Sequence, residues 1–371
     1  MNVLPASLLF PMRTVSGVGQ VADLLAECAA FGKRGVLVHG GSLVAGGTLD
    51  RILAAKPDGA EVGTWQHPGG EPTLAHVDAL REVLCKNPVD WVAAVGGGSV
   101  MDVAKAAAGL RDAPLPTVAY HDGEPIPSSN VAYVAAPATA GTGSEATMVS
   151  VLTNDDTGVK KSIRHPSHTA RLVILDPALL KSCPPALIAA SGMDAFTQAV
   201  ESFLSRGATD LTDMLALQAV EDINNSIETV FNGGDDASRE ALLRGSFLAG
   251  LALSNARLGL VHGLAHPLGA RFHFAHGLVC AVCLPLVLRY NREACSEKYA
   301  QLEACLGTDI EARVAALNHS MRIANPFAGK ALEDRVAAVT ETLASGSTKA
   351  NPRDVDASAA NDILDRLFSA N

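Results

Sequence analysis

The sequence predicts an α/β domain built on a parallel sheet, followed by an all-helical domain. Three observations carry this reading. Short β-branched runs alternate with alanine-rich helical stretches through the first half. Two of those runs end at glycine clusters, as buried parallel strands do. Strand signals then stop after Asp176-Pro177, and only helical stretches follow.

Taken in order, Val36-Leu37-Val38 and Trp91-Val92-Ala93-Ala94-Val95 are the strands that run into glycines, and Val131 to Ala136 and Leu172 to Leu175 read as two more. Val18 to Phe31 and Pro72 to Lys86 have helical spacing between them. Ser150 to Lys161, centred on Asn154-Asp155-Asp156-Thr157-Gly158, reads as a β-hairpin. In the second half, Ala186 to Ser205, Thr209 to Phe231, Ser238 to Asn255 and His276 to Asn291 are long helical stretches. Asn232-Gly233-Gly234 and Asn325-Pro326 punctuate them. The domain boundary falls near residue 180, giving units 1–180 and 181–371, and such a pairing usually places a ligand cleft between the two.

Composition agrees. A chain of 371 residues suggests two domains, and 48% hydrophobic residues suffice for two cores, which must be packed by aliphatic side chains because aromatics are only 4%. A net charge of −10 argues against nucleic acid as a partner. No apolar run reaches the roughly 18 residues of a membrane span. Residues 1–13 lack the basic start of a secretory signal, and the 7 cysteines have no repeated spacing, so a cytoplasmic location with reduced thiols is expected. Cys280 and Cys283 form a lone CxxC in an apolar stretch, where core packing is favoured over a metal or redox role.

Gly96-Gly97-Gly98-Ser99 follows a strand and opens an alanine-rich helix. Glycines let backbone approach a phosphate, and the helix start offers free N–H groups. A tight turn alone would explain the glycines, but Asp102 and Lys105 fall on the first turns of the same helix. The run Gly96 to Lys105 resembles the GGGSxxDxxK signature of iron-containing (group III) alcohol dehydrogenases. Pro137-Ala138-Thr139-Ala140-Gly141-Thr142-Gly143-Ser144-Glu145-Ala146-Thr147 resembles the same family's PTTAGTGSExT loop, with Ala138 replacing a threonine. The resemblance spans nearly the whole chain, weakening after about residue 305. It implies a dehydroquinate synthase-like architecture whose first domain binds a dinucleotide, NADP or NAD. It further implies cofactor contacts from Gly96, Gly97, Gly98, Ser99, Asp102, Thr139, Thr142 and Ser144, with Lys160 near the nicotinamide ribose and Leu179 over the adenine.

Histidines 262, 266, 273 and 276 crowd into one short region. His262 and His266 share a helix face, as do Asp194 and Gln198 upstream, and two such pairs on facing helices can surround one ion. The resemblance assigns a divalent metal, Fe2+ first and Zn2+ as the alternative, to Asp194, Gln198, His262 and His276. It gives His266 to substrate and proton relay. Gln198 stands where the family has histidine; a carbonyl ligand favours oxygen-loving ions and loose binding.

The implied reaction is reversible hydride transfer between a small alcohol or aldehyde and the nicotinamide. Rival readings are a glycerol dehydrogenase, dehydroquinate synthase or maleylacetate reductase relative, or a non-catalytic nucleotide-binding protein with a decayed metal site. Arg271 and His273 suggest an anionic or polyhydroxy substrate, although a solvated arginine at a helix end accounts for the first equally well. Residues 36–48 carry no carboxylate, which would read a ribose 2′-hydroxyl, and instead offer Gly40 and the hydroxyl of Ser42. NADPH is therefore expected to serve at least as well as NADH. The family implies a homo-oligomer, most simply a dimer.

Overall fold

The computed structural model describes residues 2–369. They form two compact units: one runs from Leu9 to Cys183, and the other comprises Pro184 to Ser369 together with the described residues up to Leu8.

The first unit is a six-stranded sheet in the order β1-β8-β5-β4-β2-β3 (Thr14–Ser16, Leu172–Leu175, Ala132–Pro137, Trp91–Gly96, Arg34–His39 and Glu61–Gln66). Every neighbouring pair is parallel. The central strands β4 and β5 are buried along their whole length, which is why they read as continuous apolar runs. A separate antiparallel hairpin joins β6 (Val149–Thr153) to β7 (Lys160–Arg164). Helices α1 (Leu24–Cys28), α2 (Gly41–Ala45), α3 (Thr48–Ala54), α4 (Leu74–Lys86), α5 (Gly98–Gly109) and α6 (Thr117–Asp122) complete the unit.

Two expectations need adjustment. The helix expected over 18–31 is one short α-turn between 3-10 segments, because Gly19 and Gly32 hold positive φ at its two ends. Strands β1 and β3 carry weak local signals. β1 has three residues, and the edge strand β3 is mixed in exposure, so their pairing with distant partners defines them.

The chain crosses from β2 out to β3 and then back past β2 to β4, so β2 and β4 flank the point where strand order reverses. In open α/β sheets, ligands bind beyond the carboxyl ends of strands at such a point. Gly40 and Gly96 to Gly98 stand there, at the ends of β2 and β4.

The second unit is helical: α7 (Pro185–Leu204), α8 (Asp210–Phe231), α9 (Asp236–Ala256), α10 (Leu260–Phe272), α11 (His276–Asn291), then α12 (Ser296–Leu306), α13 (Ile310–Ser320), α14 (Arg335–Ala344), α15 (Gly346–Lys349) and α16 (Ala357–Phe368). Thr209 and Asp235 start α8 and α9 through capping boxes. Helix α7 packs on α8, α9 and α11. Small residues permit the approach: a Cβ at Gly277 would meet the Ala190 carbonyl oxygen at 1.9 Å. Among the described residues no single helix is long and apolar enough to cross a membrane, and the one pair that passes together is bent by 103°.

Candidate functional site

Three loops of the first unit gather at the carboxyl end of its sheet. The Gly40 N–H reaches the Val95 carbonyl (3.4 Å), and the Ala138 N–H donates to the Gly96 carbonyl (2.9 Å), tying the ends of β2, β4 and β5 together. Gly97 and Gly98 start α5 in half-buried positions with Thr139 and Thr142 alongside. A Cβ at Gly97 would lie 3.4 Å from Thr139 Cγ2, and one at Gly98 only 2.7 Å from Thr142 Cγ2. The two motifs, forty residues apart in the chain, thus form one surface in which glycine leaves backbone N–H groups bare. That is the cradle a pyrophosphate needs. Ser99 sits half-buried on the first turn of α5, and Ser42 is exposed on α2.

Beneath this surface lies a buried polar knot. Ser144 Oγ donates to Asp102 Oδ1 (2.5 Å), and the Val151 N–H donates to Asp102 Oδ2 (3.0 Å). Lys105 Nζ donates to Ser144 Oγ (2.8 Å) and to the carbonyls of Ser144 and Val149 (both 2.6 Å). These bonds brace the loop that carries Thr139 and Thr142, so both Asp102 and Ser144 have their polar atoms engaged within the protein. Burial lowers the Lys105 pKa to about 8 against the pull of Asp102, and raises the neighbouring Glu145 to about 7. Lys160 pairs with Glu71 (2.6 Å), and Leu179 belongs to the apolar cluster under the sheet.

In the helical unit, Asp194 on α7, His262 on α10, and His276 and Cys280 on α11 converge, their ligand atoms all within 4.8 Å of one another. Asp194 Oδ1 lies 3.3 Å from His262 Nε2 and 3.8 Å from His276 Nε2. Gln198, one turn after Asp194 on the same helix, is buried as well. His266, one turn after His262, stacks its ring on His276 at 5.4 Å and 13°. Burial opposes charge on His262, yet Cys280, Asp194 and Glu201 together hold its pKa well above the usual value. Burial also opposes the Cys280 thiolate, which His276 and His262 nevertheless favour.

The donor chemistry fits a divalent cation. Two buried oxygens, Asp194 Oδ1 and Gln198 Oε1, have no hydrogen-bond partner, a costly arrangement unless a ligand answers them. His262 Nδ1 donates to Glu201 Oε2 at 2.6 Å, so Nε2 is the nitrogen that faces the cluster and would give its lone pair to a bound cation in place of a proton. A carboxylate behind a histidine is the usual outer support of a metal ligand.

The sequence reading did not name Glu201, and it favoured core packing for Cys280. Glu201 lies seven positions after Asp194 on the same helix face, a spacing that could have flagged it. Cys280 lies four after His276, and that phase was the available signal against pure core packing, which does describe fully buried Cys283. Arg271 is held by Glu341 through two bonds of 2.9 and 2.7 Å, so its charge is neutralised inside the protein.

Residues 11–177 match the family model of iron-containing alcohol dehydrogenases, and residues 188–368 match that family's C-terminal model. The chain belongs to the iron-containing alcohol dehydrogenases. It is 37% identical over 335 residues to the probable alcohol dehydrogenase EutG of Escherichia coli, covering 90% of this chain and 84% of that one. It is 35% identical to the NADPH-dependent butanol dehydrogenase of Clostridium saccharobutylicum, covering 73% of this chain and 71% of the other. Among solved structures, sulfoacetaldehyde reductase from Bifidobacterium kashiwanohense in complex with NAD+ superposes with a TM-score of 0.92 at 27% identity, covering 98% and 99% of the two chains. As a family member, the chain is an oxidoreductase that uses a nicotinamide cofactor and a divalent metal on small alcohols and aldehydes.

Proposed function

We propose that this chain interconverts small aldehydes and their alcohols, with NADPH serving at least as well as NADH. Asp194, His262 and His276 hold one divalent ion in this reading, Gln198 borders it, and His266 moves the proton. The observation that carries it is the convergence of one carboxylate and two imidazoles around unpartnered buried oxygens, in a chain that also carries a bare glycine cradle. When bound, the nicotinamide supplies the hydride and the ion supplies Lewis acidity toward the substrate oxygen.

The protein's own groups do the rest. The N–H groups of Gly97, Gly98 and Ser99 at the start of α5 attract the pyrophosphate, while Thr139 and Thr142 donate hydroxyls along the cofactor. Asp102, Lys105 and Ser144 keep that loop in place from below. Lys160 reaches the nicotinamide ribose once it leaves Glu71, and Leu179 lies under the adenine. Glu201 fixes the His262 tautomer. His266, only partly buried, exchanges the alcohol proton with solvent, a task suited to an imidazole near neutral pH. The enzyme works in the cytoplasm as a homo-oligomer, most simply a dimer, and takes neither nucleic acid nor membrane as a partner.

A panel of short aldehydes and alcohols, assayed with NADPH and NADH before and after chelation, tests this. Metal-dependent cofactor oxidation with uncharged aldehydes is the expected result. No turnover on any member, with both cofactors still bound, would favour a nucleotide-binding protein without catalysis.

A further inference from the structure

Position 198 carries a glutamine where the resemblance places a histidine ligand. We infer that the Cys280 thiolate fills this role, so that the ion is held by Asp194, His262, His276 and Cys280. The inference rests on the metal site of the preceding reading.

Geometry carries it. Cys280 Sγ lies 3.7 Å from His276 Nε2 and 3.9 Å from His262 Nε2, while Asp194 Oδ1 lies 3.3 and 3.8 Å from the same two nitrogens. Around a zinc-sized ion, metal–nitrogen and metal–oxygen bonds of about 2.0–2.1 Å and a metal–sulfur bond of about 2.3 Å give tetrahedral edges of roughly 3.3–3.6 Å. Four of the six separations already stand within about half an ångström of those edges, and all four atoms, from three different helices, lie within 4.8 Å of one another. Cys280 is fully buried, and the groups within 4 Å of its Sγ that can share a hydrogen with it, among the described residues, are the His262 and His276 imidazoles of this cluster. Asp194 Oδ1, also buried, is the unpartnered atom aimed into the same space.

Gln198 is the competing donor, since its Oε1 is also unpartnered. It stands one turn after Asp194 on the same face of α7, a place that suits a positioning residue beside the carboxylate. A neutral carbonyl is also the weaker donor beside a thiolate. The replacement changes the character of the site. A soft sulfur ligand selects thiophilic ions such as Zn2+ over hard, oxygen-loving ones, the reverse of what Gln198 alone suggests. With Asp194 and Cys280 both anionic, the held ion is formally neutralised and polarises a substrate oxygen less than one held by a single anion. His276 is the half-buried member of the cluster, so a substrate oxygen would approach from its side.

Cobalt substitution of the full chain reads this directly. Metal-free protein is titrated with Co2+, with absorption spectra and bound metal recorded together. The expected result is one Co2+ per chain and a near-ultraviolet sulfur-to-cobalt charge-transfer band that persists in Gln198→Ala and Cys283→Ala. Cys280→Ser should lose the band and bind Co2+ on the order of tenfold or more weakly, since even supporting groups behind a ligand cost that much. Stoichiometric Co2+ without the band in the unaltered protein overturns the sulfur ligand while leaving the metal site standing. If Cys280→Ser fails to fold, the unaltered spectrum and Cys283→Ala still decide the question. Binding that is absent, or identical in His276→Ala, overturns the underlying metal site instead.

Discussion

At the residue scale, the glycine turn separates packing from recognition. A Cβ at Gly96 would lie 2.7 Å from Val100 Cβ inside the core, so Gly96→Ala should destabilise by about 1–3 kcal/mol. At Gly97 the same atom meets only Thr139, at 3.4 Å, and the φ of −78° is ordinary. Gly97→Ala should therefore keep its melting temperature while the cofactor Kd rises about tenfold, the equivalent of 1.4 kcal/mol. Calorimetry and cofactor titration check both variants.

Glu145 gives a pH signature. Its folded pKa of about 7 lies above the ordinary 4.5, because burial disfavours its charge. Between those values the folded state holds a proton that the unfolded state has lost, so stability falls as pH rises through that window. Glu145→Gln keeps the shape and removes the titration. The stability gained by the variant should grow from pH 4.5 to pH 7 by on the order of 2 kcal/mol, read as urea midpoints. A difference that stays constant with pH would remove Glu145 from the account. The turn and its partner loop were legible in the sequence because glycines, Ser99 and Thr139 mark them locally. The knot of Asp102, Lys105 and Ser144 was legible only as three residues. That they bond one another depends on a fold that brings α5 beneath the loop.

At the scale of elements, close helix contact holds the metal-type cluster together. A Cβ at Gly277 would meet the Ala190 carbonyl oxygen at 1.9 Å and Asp194 Cβ at 3.1 Å, so Gly277→Ala must push α11 away from α7. The expected result is weaker metal binding with a loss of about 1–3 kcal/mol or more in stability. Gly269→Ala on α10 is the counterpart: a Cβ there would come no nearer to a neighbour than 4.0 Å, from the Phe274 carbonyl oxygen. That variant should bind metal normally and be neutral or slightly more stable, since alanine suits a helix better. Equal metal content in both variants would contradict the packing argument. Periodicity made α7, α8, α9 and α11 readable, and the i, i+4 pairs pointed toward the cluster. Cys280 was hidden because an apolar helix with one polarisable sulfur looks like any core helix. The pairing of Arg271 with Glu341 joins residues seventy apart, beyond the reach of local pattern.

At the scale of the whole molecule, the two compact units divide the work in the proposed scheme: the sheet unit selects the cofactor and the helical unit holds the ion. Gly40 ends β2 at the reversal of strand order, and a side chain there would find Val100 Cγ2 at 3.6 Å and Ser42 Oγ at 3.9 Å. The position has room. Gly40→Asp should shift preference from NADPH toward NADH, measured as the ratio of kcat/KM values, because a carboxylate accepts from the 2′-hydroxyl and repels a 2′-phosphate. An unaltered enzyme that already prefers NADH strongly would overturn the cofactor preference without touching the dehydrogenase assignment. The parallel sheet and the two-part architecture followed from the sequence because βα alternation and the later absence of strand signals are global patterns, whereas the order of strands rests on long-range pairing.

The central claim is that one ion, held by Asp194, His262 and His276, is needed for turnover. Stripped protein titrated with Fe2+ or Zn2+ without oxygen, while NADPH oxidation by a short aldehyde is followed, tests it most directly. The rate should rise linearly and break at about one ion per chain, and the same titration of His276→Ala should stay near zero, because the Lewis acid is lost with its ligand. Full turnover by the stripped protein, or an unchanged titration in His276→Ala, would contradict the account.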